Sequence, residues 1–157
     1  MPDVDLDRYD RTLLDELQRD GSLSNAALAE RVSLSASQVS RRRAALERAG
    51  IIEGYTARLN ARALGWRLRA VVRIELAAHG GRNDESFAAF VAGLEEVDAA
   101  YSVSGDADYV LRVRVRDLEA FAAFVHGTIL PHPQVSRVRS EIVLTTLKEG
   151  DAVPVGR

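Results

Sequence analysis

Two stretches hold residues whose types and spacing could do recognition chemistry. The first is Ser35-Ala-Ser37-Gln38-Val39-Ser40-Arg41-Arg42-Arg43, continued by Arg48 and, further on, Arg58. An arginine fork can take guanine bidentately or clamp a phosphate, glutamine can take adenine, and serine hydroxyls can serve either. At helical spacing, Ser37, Gln38, Arg41 and Arg42 share a face away from Val39 and Leu46. Ser37, Gln38 and Arg41 are the candidates for base edges. Arg42, Arg48 and Arg58 are the candidates for phosphates, with Ser35 and Ser40 beside them. The second stretch is Ser102-Val-Ser104-Gly105-Asp106-Ala-Asp108-Tyr109. Gly-Asp and Asp are common in turns for backbone reasons alone. A carboxylate pair beside glycine could also hold a cationic amino group while exposed backbone N–H groups take a carboxylate.

Other chemistries find little here. There is no cysteine, which excludes a disulfide scaffold and any thiolate zinc site and suits a reducing cytoplasm. His79, His126 and His132 have no carboxylate at ligand spacing, so no metal is expected. No glycine-rich phosphate loop, nucleophile elbow or HExxH occurs, so neither an enzyme nor a cofactor is expected. The acidic opening Met1-Pro-Asp-Val-Asp lacks the apolar core of a secretory signal, and no run of about 18 apolar residues predicts a membrane span. The formal net charge of -2 looks wrong for a nucleic-acid binder, but its distribution does not. Between Arg31 and Arg58, six arginines face two acids, whereas the first twenty residues hold seven acids and three arginines. A local basic face beside an acidic helix fits a local DNA contact.

The elements that must position these residues follow from periodicity. Leu6, Tyr9, Leu13, Leu14 and Leu17 predict a helix over residues 5–20. Ser24 caps a second helix over 25–32, and Ser35 caps a third over 36–49, stopped by Gly50. Helices this short need a shared core, here Leu13, Leu14, Leu17, Leu28, Val32, Val39, Leu46 and Ile51. Two helices joined by a tight turn form the unit that lays its second helix in the major groove of double-stranded DNA. Residues 51–59 have strand character, which suggests a wing. Domain boundaries are expected at 1–60, a hinge at 61–66 and a second domain at 67–157. After Trp66 the period becomes 2. Strands are predicted over 68–76, 97–104, 109–116 and 135–144, with helices over 84–94 and from a cap at Asp117 through Ile129, until Pro131 and Pro133 break the chain. The fold class is therefore α+β: an N-terminal (winged) helix-turn-helix domain followed by a ferredoxin-like βαββαβ domain. Its bare sheet face, bearing Arg73, Arg112 and Arg114, is either a solvated face or, as favoured for a bare four-stranded sheet, a dimer surface with those arginines meeting acids such as Glu75 and Glu141 of a partner.

With that order in place, Leu28-Ala-Glu-Arg-Val32-Ser-Leu34-Ser35 with Arg41-Arg42 and Leu46-Glu47, Ala49-Gly50-Ile51-Ile52-Glu53-Gly54-Tyr55, and Ser104-Gly105-Asp106-Ala107-Asp108-Tyr109 carry a resemblance. The chain resembles the leucine-responsive regulator and asparagine-regulator (Lrp/AsnC, feast/famine) transcription factors over nearly its whole length. The resemblance implies a cytoplasmic, sequence-specific regulator. It would form a homodimer, with octamers as a further assembly, and bind a small effector, commonly an amino acid. It places the effector between subunits near Gly105, Asp106, Asp108 and Tyr109; from their place at the strand end, Ser102 and Ser104 are expected to line the site. Position 43 departs from the family pattern: arginine stands where a branched apolar residue is usual, on the inward side of its helix, where it could snorkel or pair with an acid of the first helix. The alternative is an architectural protein that wraps or bridges DNA with weak sequence choice.

Overall fold

The computed structural model describes residues 5–77, 82–150 and 152–156. The chain forms two compact units, Met1–Arg58 with Glu149–Arg157, and Leu59–Lys148.

The first unit is built on three helices. The first, α1, spans Arg8–Arg19. It starts later than its apolar spacing suggests because the Asp7 carboxylate accepts the N–H groups of Tyr9 and Asp10, at 2.8 and 2.9 Å, and makes Asp7 the cap. The second, α2, spans Asn25–Val32 under a Ser24 cap. Ser33 leaves it in the left-handed region, φ 55°, which turns the chain into α3, Ala36–Arg48. Ser35 and Gln38 form a reciprocal capping box at its start, worth about 1 kcal/mol. At its end Gly50 takes φ 70° and the Ile51 N–H returns to the Leu46 carbonyl. Leu13, Leu14, Leu17, Leu28, Ala29, Val32, Val39 and Leu46 close one core, with Ile51, Ile52 and Val155 against it.

Two expectations are corrected in this unit. Residues 51–59 form no strand, so Arg58 stands on an irregular exposed segment. Ile51 and Ile52 are adjacent, not alternating, and both are used to seal the end of the helical core. The tail also belongs here and not with the second domain: Val153 and Val155 are hydrogen-bonded to α1 side chains.

The second unit is a four-stranded antiparallel sheet in the order β2-β3-β1-β4, with β1 Leu68–Leu76, β2 Val97–Ser102, β3 Tyr109–Val115 and β4 Val135–Ile142. That is the order a βαββαβ chain gives when its helices cover one face. The helices are α4, Arg82–Ala92, and α5, Leu118–Phe124, which widens into a π-turn over Val125–Ile129. Alternation buries Ala70, Val72, Ile74, Leu76, Leu111, Val113 and Val115 against Phe87, Val91, Phe121, Phe124, Val125 and Ile129. Leu118 is exposed, since it sits in the first turn beyond the sheet-facing stripe. The hinge residues form a turn within this unit: Asn60 accepts the Ala63 N–H, and Gly65 has φ 92°.

The other sheet face carries Arg69, Val71, Arg73 and Glu75 across from Arg114, Arg112 and Val110 on one side and Glu141, Arg139 and Arg137 on the other. Its acids are already spoken for within the chain. Arg73 meets Glu141 at 3.4 Å, Glu75 lies 3.6 and 3.5 Å from Arg137 and Arg139, and Asp98, at a bulge in β2, holds Arg112 and Arg114. Pairing of these arginines with acids of a partner is therefore not required to balance them.

Candidate nucleic-acid interface and ligand groove

Opposite buried Val39 and Leu46, α3 presents Ser37, Arg41, Ala44 and Arg48 on one exposed stripe, spaced four, three and four residues apart. Among the described residues Arg41 makes no ion pair or hydrogen bond, and its guanidinium is available to a partner. Among the described residues the Arg48 side chain bonds only the Ala44 carbonyl of its own helix. Ser37 shares a hydroxyl contact with Ser35 at 3.0 Å. Ser40 is exposed on the flank. Gln38 is exposed, but its carboxamide oxygen accepts the Ser35 N–H at 2.9 Å, so reading a base would cost part of the cap.

The three consecutive arginines have three different positions. Arg42 turns back to α1, 2.8 Å from Asp7 and 2.8 Å from Asp10, and lies over the Tyr9 ring. It holds α3 against α1, so it is not free to clamp phosphate in this arrangement. Arg43 does not reach the acids of α1. Its Nε donates to the Tyr55 hydroxyl at 2.7 Å, it pairs with Glu47 on its own helix, and its guanidinium stacks on the Tyr55 ring at 4.3 Å. An arginine at this inward position is thus accommodated by an aromatic lid supplied from beyond the helix.

The charge network in this unit has a pH consequence. Asp7 is held below the ordinary carboxylate value of 3.8, first by the Asp10 N–H and further by Arg42. Glu16 is lowered by Arg31, with Arg19 adding to it, and Asp20 by the Ser22 hydroxyl. The unfolded chain therefore takes up protons at a higher pH than the folded chain. The stabilisation is present above the ordinary values and is lost as pH falls through the lowered ones. We expect the helical unit to melt at a lower temperature at about pH 3 than at about pH 6, followed by the far-ultraviolet helix signal. A melting temperature flat across that interval would contradict these contacts.

In the sheet unit, a groove of about 580 Å³ runs between α4 and the edge strand β2. Ala88, Val91, Ala92 and Val97 make its wall apolar, and Glu85, Asp98, Ser102 and Tyr109 supply its polar groups. The half-buried Tyr109 ring lies 4.9 Å from that of Phe87. Of the six residues expected to bind an effector, Ser102 and Tyr109 line this groove. Ser104, Gly105 and Asp106 lie in the exposed β2–β3 turn that begins where the groove ends, with Gly105 at φ 142°. Asp108 has a different task. Its carboxylate accepts the Leu76 N–H at 2.7 Å, its N–H donates to the Ile74 carbonyl at 2.9 Å, and its carbonyl accepts from Val103. It joins the start of β3 to the end of β1. Glu85, Ala88, Val91 and Asp98 were not among the site residues expected from the sequence; they come from two different elements, and only the packing of α4 beside the sheet edge assembles them.

Residues 6–53 match the family model described as winged helix-turn-helix DNA-binding, and residues 69–153 match the Lrp/AsnC ligand binding domain. The chain is 40% identical over 156 residues to the Leucine-responsive regulatory protein of Escherichia coli K12, covering 98% of this chain and 94% of that protein, and equally so to that of Salmonella typhimurium. Among solved structures it is similar to a transcriptional regulator of Neisseria meningitidis in complex with L-Met, with TM-score 0.92, 36% identity, and 96% and 97% of the two chains covered. It is also similar to an AsnC family transcriptional regulator from Agrobacterium tumefaciens, with TM-score 0.90, 32% identity, and 95% and 97% covered. A helix-turn-helix unit and a ligand-binding sheet unit in one chain define a DNA-binding transcriptional regulator. The chain belongs to the Lrp/AsnC family. No helix among the described residues is long and apolar enough to cross a membrane.

Proposed function

We propose that this regulator acts in the cytoplasm as a homo-oligomer, has no catalytic activity of its own, reads its operator through Ser37, Arg41 and Arg48, and is modulated by an amino acid held at the β2–β3 end of the groove. The observation that carries this reading is the composition of the groove. Its apolar wall suits an aliphatic or thioether side chain, while the Glu85 carboxylate suits a protonated amino group, Asp98 being already held by Arg112 and Arg114. The turn at Gly105 and Asp106 supplies backbone N–H groups and a further carboxylate beside Ser102 and Tyr109. The relative from Neisseria meningitidis, solved with L-Met, supports the ligand class. Occupation would shift the population of assemblies, and with it the spacing of paired recognition helices.

A calorimetric screen of the twenty amino acids tests this reading, and heat from none of them would remove the amino-acid effector. Two neighbouring aspartates should then separate. Asp106→Ala should abolish the amino-acid-dependent rise in melting temperature while leaving the unliganded protein's melting unchanged. Asp108→Ala should lower the unliganded melting temperature itself, because the Leu76 N–H loses its acceptor, at a cost of about 1–3 kcal/mol. A thermal shift that persists in Asp106→Ala would place the ligand elsewhere.

A further inference from the structure

The last residues do not trail from the sheet; they are seated on α1. Gln18 faces the tail backbone at two points: its Nε2 donates to the Val153 carbonyl at 3.0 Å, and its Oε1 accepts the Val153 N–H at 2.6 Å. Two turns earlier on α1, Arg11 donates to the Val155 carbonyl, while its Nε is tied to the Leu6 carbonyl. The half-buried Val155 side chain packs against the helical core that includes Leu13, Leu14 and Leu17. Arg11, Leu14 and Gln18 recur on one stripe of α1, so a single face offers polar clamps at both ends and an apolar seat in the middle. Asp10, beside that stripe, and the cap Asp7 hold Arg42 of α3. The first helix is thus held both by the tail and by α3.

We propose that the Arg11–Leu14–Gln18 face of α1 is the docking surface for the chain's own C-terminal tail, and that the docked tail holds α1, and through Arg42 the recognition helix, in the arrangement that reads DNA. The amide of Gln18 mimics a strand edge toward Val153, so the tail is recognised mainly through its backbone, with Val155 as the one apolar anchor. The chain passes from the helical unit to the sheet unit after Arg58 and returns after Lys148, which makes the tail a second covalent tether. The DNA side of the proposal rests on reading α3 as the contacting helix.

The test compares the full-length protein with a form ending at Lys148 and with full-length Gln18→Ala. Amide hydrogen exchange and binding to duplex DNA carrying the protein's own upstream region are measured on each. In both variants the α1 amides should exchange roughly fivefold faster or more, sheet amides should keep their rates, and DNA affinity should fall several-fold. Unchanged α1 exchange in both variants would overturn the docking. Faster α1 exchange with undiminished DNA affinity would overturn the positioning role. Arg41→Ala run alongside keeps the readings apart: if it also leaves affinity unchanged, the assignment of α3 is what has failed. Should the shortened chain not fold, Gln18→Ala decides alone.

Discussion

Replacing Arg41 by alanine is expected to weaken binding to operator DNA by about 1–3 kcal/mol, roughly 5- to 150-fold, with little change in thermal stability. The two halves of that expectation have separate grounds. On the DNA side, Arg41 is exposed at the centre of the Ser37–Arg48 stripe, where a guanidinium can meet a base edge bidentately. On the stability side it forms no ion pair or hydrogen bond among the described residues, so its loss leaves nothing unpaired. Arg42→Ala gives the contrast. It removes the link to Asp7 and Asp10, so it should lower the melting temperature of the helical unit and weaken all duplexes alike. Operator titrations beside random duplex distinguish the two: Arg41→Ala should relax sequence preference, and Arg42→Ala should not. An Arg41→Ala protein with wild-type affinity and preference would remove Arg41 from the interface.

The second large effect is on the fold that aims this helix. Leu13 is fully buried at the meeting of the three helices. Leu13→Ala should cost about 2–5 kcal/mol, because the removed side chain leaves a cavity that short helices can close only in part. A unit this small has little stability in reserve, so the helical signal and DNA binding should be lost together near physiological temperature. Amides of the sheet should remain protected, since the second unit has its own core. A variant that retained full helical melting would show that the shared core is not what holds the three helices.

Much of this was legible in the chain because period and caps are local. Ser24 and Ser35 announced the two helices of the helix-turn-helix, and alternation from Leu68 to Leu76 announced one of the two inner strands. The failures were places where a distant partner decides. Residues 51–59 look like a strand in composition, but no neighbouring strand pairs with them, and Ile51 and Ile52 seal a helical core instead. Arg42 belongs to a helix face that reads as DNA-contacting, yet acids more than thirty residues earlier claim it. Arg43 was expected either to snorkel to the edge or to pair with an acid of the first helix; it makes no such pair and stacks on Tyr55, a residue from beyond its helix. Asp106 and Asp108 are indistinguishable in sequence; only the pairing of β1 with β3 brings the Leu76 N–H to one of them. The tail carries no pattern at all, and its seat on α1 depends on an amide side chain that reads as surface.

The central claim is that this chain is a DNA-reading regulator answering to an amino acid. It is tested most directly by titrating the protein against duplex DNA from its own upstream region and against random duplex of equal length, at one fixed salt concentration. Each titration is run with and without the amino acid that gives heat in the calorimetric screen. Binding to the upstream duplex should be tighter, and that affinity or the size of the complex should shift when the amino acid is present. Equal affinity for both duplexes, unmoved by the amino acid, would contradict it.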